Sequence, residues 1–189
     1  LKKLCIGYLK SAFDEKYRGH ASDSTTLAVL RGLGASLVPI ELPNDSVQAI
    51  AFVLTAEAAA AFDDLTRSGR DSLMVRQTRD AWPNIFRTSR FIPAVEYIQA
   101  NRVRYLLVQA MQKLDVDVYL SPSFGGNNLV LTNLTGQPCV VLPNGFDEKG
   151  HPRSITFMGK LYGEATLLAV AKAYQDATDF NKKHPPLFQ

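Results

Sequence analysis

Hydrophobic residues in this chain fall into short unbroken runs separated by stretches of helical period, which predicts strands alternating with helices. Leu4 to Leu9 is almost wholly apolar, the pattern of a strand buried on both faces of a parallel sheet. Phe13 to Ala21 reads as a polar connection. Asp23 and Ser24 stand as N-caps before Leu27, Leu30 and Leu33, and Gly34 closes that helix. Ala35 to Leu42 is the next strand, and Pro39, having no N–H for a ladder, assigns it to an edge or a strand end. Strand, helix and strand make a βαβ unit, whose crossover is right-handed in nearly all proteins.

After a turn at Pro43-Asn44-Asp45-Ser46, apolar residues recur at Val47, Ile50, Leu54, Ala58, Phe62 and Leu65, predicting one helix to about Arg67. Ser68 to Pro93 has weak periodicity and carries Arg70, Arg76, Arg79, Arg87 and Arg90 around Trp82 and Phe86. A long helix follows from Ala94 to Leu114, with Val95, Ile98, Val103, Leu107 and Met111 on its apolar side. Val116 to Leu120 is a strand ended by Ser121-Pro122-Ser123, and Phe124 to Asn128 reads as a loop. Cys139 to Pro143 and Ile155 to Met158 form a strand pair. The last helix, from Gly163 to about Phe180, buries Leu167, Val170, Ala171, Tyr174 and Ala177, and Pro185-Pro186 blocks its continuation.

Composition narrows the classes of function. The 189 residues are 46% hydrophobic and 21% charged, ordinary for a globular domain. The 21 Lys and Arg mix with 18 Asp and Glu to a net charge of +3, with no basic block to attract nucleic acid. No apolar run is long enough for a membrane span and no signal peptide is visible, so a cytoplasmic setting is expected. Cys5 and Cys139 lie in apolar strands and read as buried hydrophobes rather than a disulfide or metal pair. The tripeptides Asn44-Asp45-Ser46 and Asn133-Leu134-Thr135 match the short glycosylation pattern, which is common by chance. His20, His151 and His184 have no spacing that suggests a metal site or a triad. A Cys139–His151 pair is set aside because a thiolate in an apolar strand is costly. No cofactor is implied.

The pattern specific enough to suggest a function runs from Leu134 to Pro186. It comprises Leu134-Thr135-Gly136-Gln137-Pro138, Leu142-Pro143-Asn144-Gly145-Phe146, Gly150-His151-Pro152, Phe157-Met158-Gly159 and a helix bearing Leu167-Leu168, Ala173-Tyr174 and Ala177-Thr178. These spaced positions resemble the C-terminal part of the amidase signature family, which includes amidases and the A subunits of tRNA-dependent amidotransferases. The resemblance implies an α/β fold with a mixed β-sheet flanked by α-helices.

It also implies amide-bond hydrolysis by a nucleophilic serine, a second serine after a cis peptide bond, and a lysine base, all in the N-terminal half of family members. No Gly-Gly-Ser-Ser-Gly-Gly segment occurs here, and no catalytic residue is assigned in this chain. Residues 1–189 are therefore expected to be the C-terminal part of a single amidase domain, with the catalytic half absent. The start at Leu1, running at once into a strand, reads as a truncated or split chain.

Within that frame, Trp82, Arg90, Asn127 and Asn128 are the candidate pocket residues. Aromatic rings and guanidinium groups suit a polar acyl substrate, and Arg can grip a carboxylate with two parallel hydrogen bonds. In the glutamine-using relatives an acidic residue is expected about where Asn128 falls; an amide does not neutralise an ammonium group, which favours a plain amidase. Expected partners are a small-molecule amide and a missing N-terminal half or complementary subunit, with homo-oligomers possible. Two alternatives stay open: a non-catalytic subunit of a split amidase or of a glutamyl- or aspartyl-tRNA amidotransferase, and a degenerate binding module.

Overall fold

The computed structural model describes residues 1–14, 17, 19–43, 47–123 and 126–185. The expected turn at Asn44-Asp45-Ser46, the residues Phe124-Gly125 of the expected loop, and Pro186 lie outside the described residues. Along the chain the elements are β1 (Cys5–Leu9), α1 (Lys10–Asp14), α2 (His20–Gly32), β2 (Ser36–Ile40), α3 (Phe52–Ala61), α4 (Asp63–Arg67), α5 (Trp82–Ser89) and α6 (Ala94–Gln112). They continue with β3 (Val118–Pro122), α7 (Asn128–Thr135), β4 (Cys139–Phe146), β5 (Pro152–Gly159) and α8 (Glu164–Asp176). The chain divides into two compact units, one of residues 1–44 and 109–189 and one of residues 45–108.

In the first unit the strands form one mixed sheet in the order β2-β1-β3-β5-β4. β1 is parallel to both β2 and β3, whereas β5 is antiparallel to β3 and β4. As the sequence predicts, Pro39 lies on an edge strand and pairs with Tyr8 in register. Side chains alternate across the strands, so Ile6, Val118, Leu120, Leu142, Ile155 and Phe157 share a core with Leu27 and Leu30 of α2 and Leu167, Val170 and Tyr174 of α8. Phe157 and Tyr174 meet with ring centroids 5.4 Å apart. Residues of the opposite parity, Tyr119, Ser121, Ser154 and Thr156, belong to the other face of the sheet.

Several expectations are corrected. α2 begins at His20 after Gly19, so Asp23 is not a cap but a buried residue inside the first turn. Asn128, expected in the loop, opens a helix, α7, that runs to Thr135; burial of Leu131 and Leu134 outweighs its modest helix propensity. Its C-cap Gly136 has φ 83°, the left-handed geometry that glycine adopts without strain. Cys139 is exposed and Cys5 only partly buried. Cys139 opens β4, and β4 is an outer strand of this sheet, so its apolar sequence does not imply cover on both faces. Ala177 falls just past the end of α8 and is exposed.

The second unit replaces the single expected helix by a 3-10 turn at Gln48–Ile50, then α3 and α4, which break at Phe62. Phe62 stacks on Phe86 of α5 at 5.1 Å, and Trp82 lies 5.6 Å from the same ring. Arg87 of α5 reaches the buried Asp71 carboxylate at 2.5 Å. Glu57 accepts from Arg104 at 3.1 Å and from the Tyr97 hydroxyl at 3.2 Å, so it is a paired side chain of this unit. On α6, Leu107 and Met111 are buried as expected, whereas Val95 and Ile98 are exposed.

Candidate functional site

A cleft of 660 Å³ opens in the first unit where β1, β2 and β3 all end. The three strands are parallel, so their carboxyl ends lie on one side of the sheet, the position where open α/β sheets bind ligands. Leu9, Glu41 and Ser123 mark those ends in the cleft wall. The antiparallel β5 starts on the same side and supplies Pro152, Arg153 and Ser154, preceded by Asp147 and His151 of the β4–β5 turn. Tyr17 and Gly19 just before α2, Asp23 in its first turn, Asn127 just before α7 and Asn128 at its start complete the wall.

Two networks fix its polar groups. Asp23 accepts from the Tyr17 hydroxyl at 2.6 Å and from the Asn144 side-chain amide at 2.5 Å. Asn144 is brought inward at a bulge between Pro143 and Gly145, where Gly145 takes φ 142°, and such irregularities re-aim a side chain. Thr26 links this group to the Tyr174 hydroxyl at 3.2 Å. Burial pushes the Asp23 carboxyl above its ordinary range, against the hydrogen bonds from Tyr17 and Asn144 that hold it down. Tyr17 is likewise raised, first by burial and then by its bond to Asp23.

Asp147 organises the turn. One carboxylate oxygen accepts the backbone N–H groups of Lys149 and His151, each at 2.9 Å, and the other meets His151 Nδ1 at 3.0 Å. Arg153 lies 3.8 Å from the same carboxylate. The backbone bond from His151 is the largest cause holding the Asp147 carboxyl down to about 2.

On the other face of the sheet, the Ser123 hydroxyl accepts from Ser154 at 3.0 Å and from Thr156 at 3.1 Å. Ser121 is fully buried and donates to the Pro122 carbonyl at 3.1 Å, which removes it from any reaction. Cys139 and His151 stand at opposite ends of the β4–β5 hairpin. Among the described residues no group of three or more His, Cys, Asp or Glu is placed to hold a metal, and no helix is long and apolar enough to cross a membrane.

Of the four pocket candidates, Asn127 and Asn128 line this cleft. Asn128 is buried and accepts from the Tyr119 hydroxyl at 2.9 Å, so one end of its amide is committed to the protein. Trp82 and Arg90 belong to the second unit, where Trp82 lies against Phe86 and Arg90 pairs with Asp63. Tyr17, Asp23, Glu41, Asp147 and Arg153 were not expected in the wall. Only Asp147 carried a local signal, an aspartate four residues before a histidine across a Gly150 turn.

This sheet with helices against it is the fold of the amidase signature enzymes. No family model matches the chain. The native peptide amidase from Stenotrophomonas maltophilia superposes with a TM-score of 0.75 at 21% identity, over 98% of this chain and 44% of that one. In sequence, the chain is 26% identical to an A-type subunit of glutamyl-tRNA(Gln) amidotransferase from Gloeothece citriformis, over 100% of this chain and 48% of that protein. It is 27% identical to an amidase of Pseudomonas putida, over 99% of this chain and 46% of that protein. The resemblance read from Leu134 to Pro186 therefore extends over the whole chain, which spans about half the length of the curated relatives it matches.

Proposed function

We propose that this chain is the C-terminal part of an amide-hydrolysing enzyme and forms one wall of its acyl pocket. The observation that carries the reading is the cleft at the joint carboxyl ends of β1, β2 and β3, in a chain similar over its full length to amidases. The nucleophilic serine, the second serine and the lysine base would come from sequence outside these 189 residues. The mechanism implied by the family has the lysine take a proton through the second serine while the nucleophile attacks the carbonyl. Ammonia or an amine leaves, and water releases the acyl group. Asn127 and Asn128 serve this wall with amide groups, and Trp82 and Arg90 remain candidate acyl contacts. The setting is cytoplasmic, the substrate a small-molecule amide.

A second reading is favoured by the similarity to the A-type component of the amidotransferases: the chain would then belong to a protein that releases ammonia from glutamine for a partner. Asn128 argues against it, since its buried amide offers no negative charge to a glutamine ammonium. The test is ammonia or amine release from simple amides and from glutamine, comparing this chain alone with the chain joined to its natural upstream sequence. Turnover of simple amides by the longer form alone is the expected result. Turnover by the 189 residues alone overturns it, and glutamine as the sole substrate favours the second reading.

A further inference from the structure

We propose that Ser123 is a substrate-positioning hydrogen-bond donor, and that it selects amides carrying a second, neutral carbonyl in the acyl portion. This rests on the reading of the cleft as the site of an amide substrate. Ser154 and Thr156 are two residues apart on β5, so their hydroxyls project to one face, and both reach Ser123 Oγ, at 3.0 and 3.1 Å. A hydroxyl has two lone pairs and one proton. With both lone pairs occupied, the remaining capacity of Ser123 is to donate, and Ser123 is half-buried in the cleft wall at the end of β3. The Ser154 and Thr156 protons are spent within the cluster. Accepting two hydrogen bonds also polarises the Ser123 O–H, because chains of hydrogen bonds strengthen one another.

The charges around the cleft choose the acceptor. Among the described residues of the cleft wall, the carboxylates Asp23, Glu41 and Asp147 are opposed by the Arg153 guanidinium, which itself lies beside Asp147. An incoming carboxylate meets this negative field, whereas a neutral carbonyl accepts from Ser123 without that cost.

The experiment uses the chain joined to its natural upstream sequence and compares N-acetylglycinamide with pentanamide, which has the same chain length and lacks the second carbonyl. Ser123→Ala should raise KM for N-acetylglycinamide roughly five- to tenfold, the worth of one hydrogen bond, with kcat and both pentanamide parameters unchanged. Ser123→Thr, which keeps the hydroxyl, should restore KM to within about twofold. An equal effect on both amides, or none on either, overturns the proposal. If the wild-type protein hydrolyses neither amide, the functional reading fails separately. NMR titration of the same two amides then decides: tighter binding of N-acetylglycinamide that Ser123→Ala abolishes supports the donor role, and indistinguishable binding overturns it.

Discussion

Asn144 on β4 donates its side-chain amide to the Asp23 carboxylate on α2 at 2.5 Å, across 121 positions of sequence. That bond and the one from Tyr17 are what make a carboxyl tolerable at 4% exposure beside the cleft. Asn144→Leu leaves Asp23 with one fewer donor and should cost about 1–3 kcal/mol in urea unfolding.

The pH dependence of the same site has a defined sign. The folded-state pKa of Asp23 is raised, chiefly by burial, so the folded protein holds this proton more tightly than the unfolded chain. Its contribution to stability is fully present below the ordinary carboxylate pKa and is lost as pH rises through the raised value. Asp23→Asn should remove that decline. Urea midpoints measured from about pH 4 to 7 should fall less steeply for the variant than for the wild type, and parallel curves would refute the assignment.

Asp147 gives the opposite slope. Its pKa is held near 2, first by the backbone bond from His151, so its contribution is present above the ordinary carboxylate value and is lost as pH falls from about 4 to about 2. Asp147→Asn keeps the oxygen that accepts from Lys149 and His151 but loses the one facing the His151 ring and Arg153. The hairpin should therefore persist while the acid-limb loss of stability disappears, which thermal unfolding between about pH 2 and 5 checks.

In the second unit, Arg87 sits against a carboxylate whose side chain is only 3% exposed. Arg87→Ala strands the Asp71 charge and should destabilise by about 1–3 kcal/mol, less than a fully buried pair because Arg87 itself is partly solvated. Arg87→Ala combined with Asp71→Asn should recover part of that loss. Arg76→Ala, which breaks a solvent-exposed pair with Asp80, should change stability by less than about 0.5 kcal/mol.

Local patterning carried much of the fold and little of the site. The apolar runs of β1 and β3 and the stripe of Leu167, Val170 and Tyr174 were legible because period and burial coincide there. The break at Phe62 was not, since the helical period continues through it and the stacking on Phe86 that accompanies it is a tertiary fact. Cys139 looked buried because a sequence cannot say which strand ends up outermost. Asp23 looked like a cap because Asp and Ser are good caps, and of its partners Tyr17 and Asn144 the second is 121 residues away. Asn127 and Asn128 could be named only through the family resemblance, from their loop position and amide chemistry, since no local pattern marks them. Glu41 and Arg153 reach the same wall from the ends of β2 and β5, whose places in the sheet no local pattern reveals.

Asn128 invites a test that separates its structural from its chemical role. Its Oδ1 accepts from the buried Tyr119 hydroxyl, whose pKa burial pushes up and which therefore stays a donor at any ordinary pH. Tyr119→Phe removes that donor and leaves the carbonyl of a 6% exposed amide unpaired, at a cost of about 1–3 kcal/mol. Asn128→Leu in the same background removes the stranded carbonyl, so the double variant should lose less than the sum of the two single ones. Denaturant unfolding of all four forms gives the coupling energy, expected at about 1 kcal/mol. A coupling near zero would mean that the Asn128 amide does not depend on Tyr119 for its orientation. A KM for amides that rises in Asn128→Leu but not in Tyr119→Phe, in the chain joined to its upstream sequence, would assign the Nδ2 end of the amide to substrate.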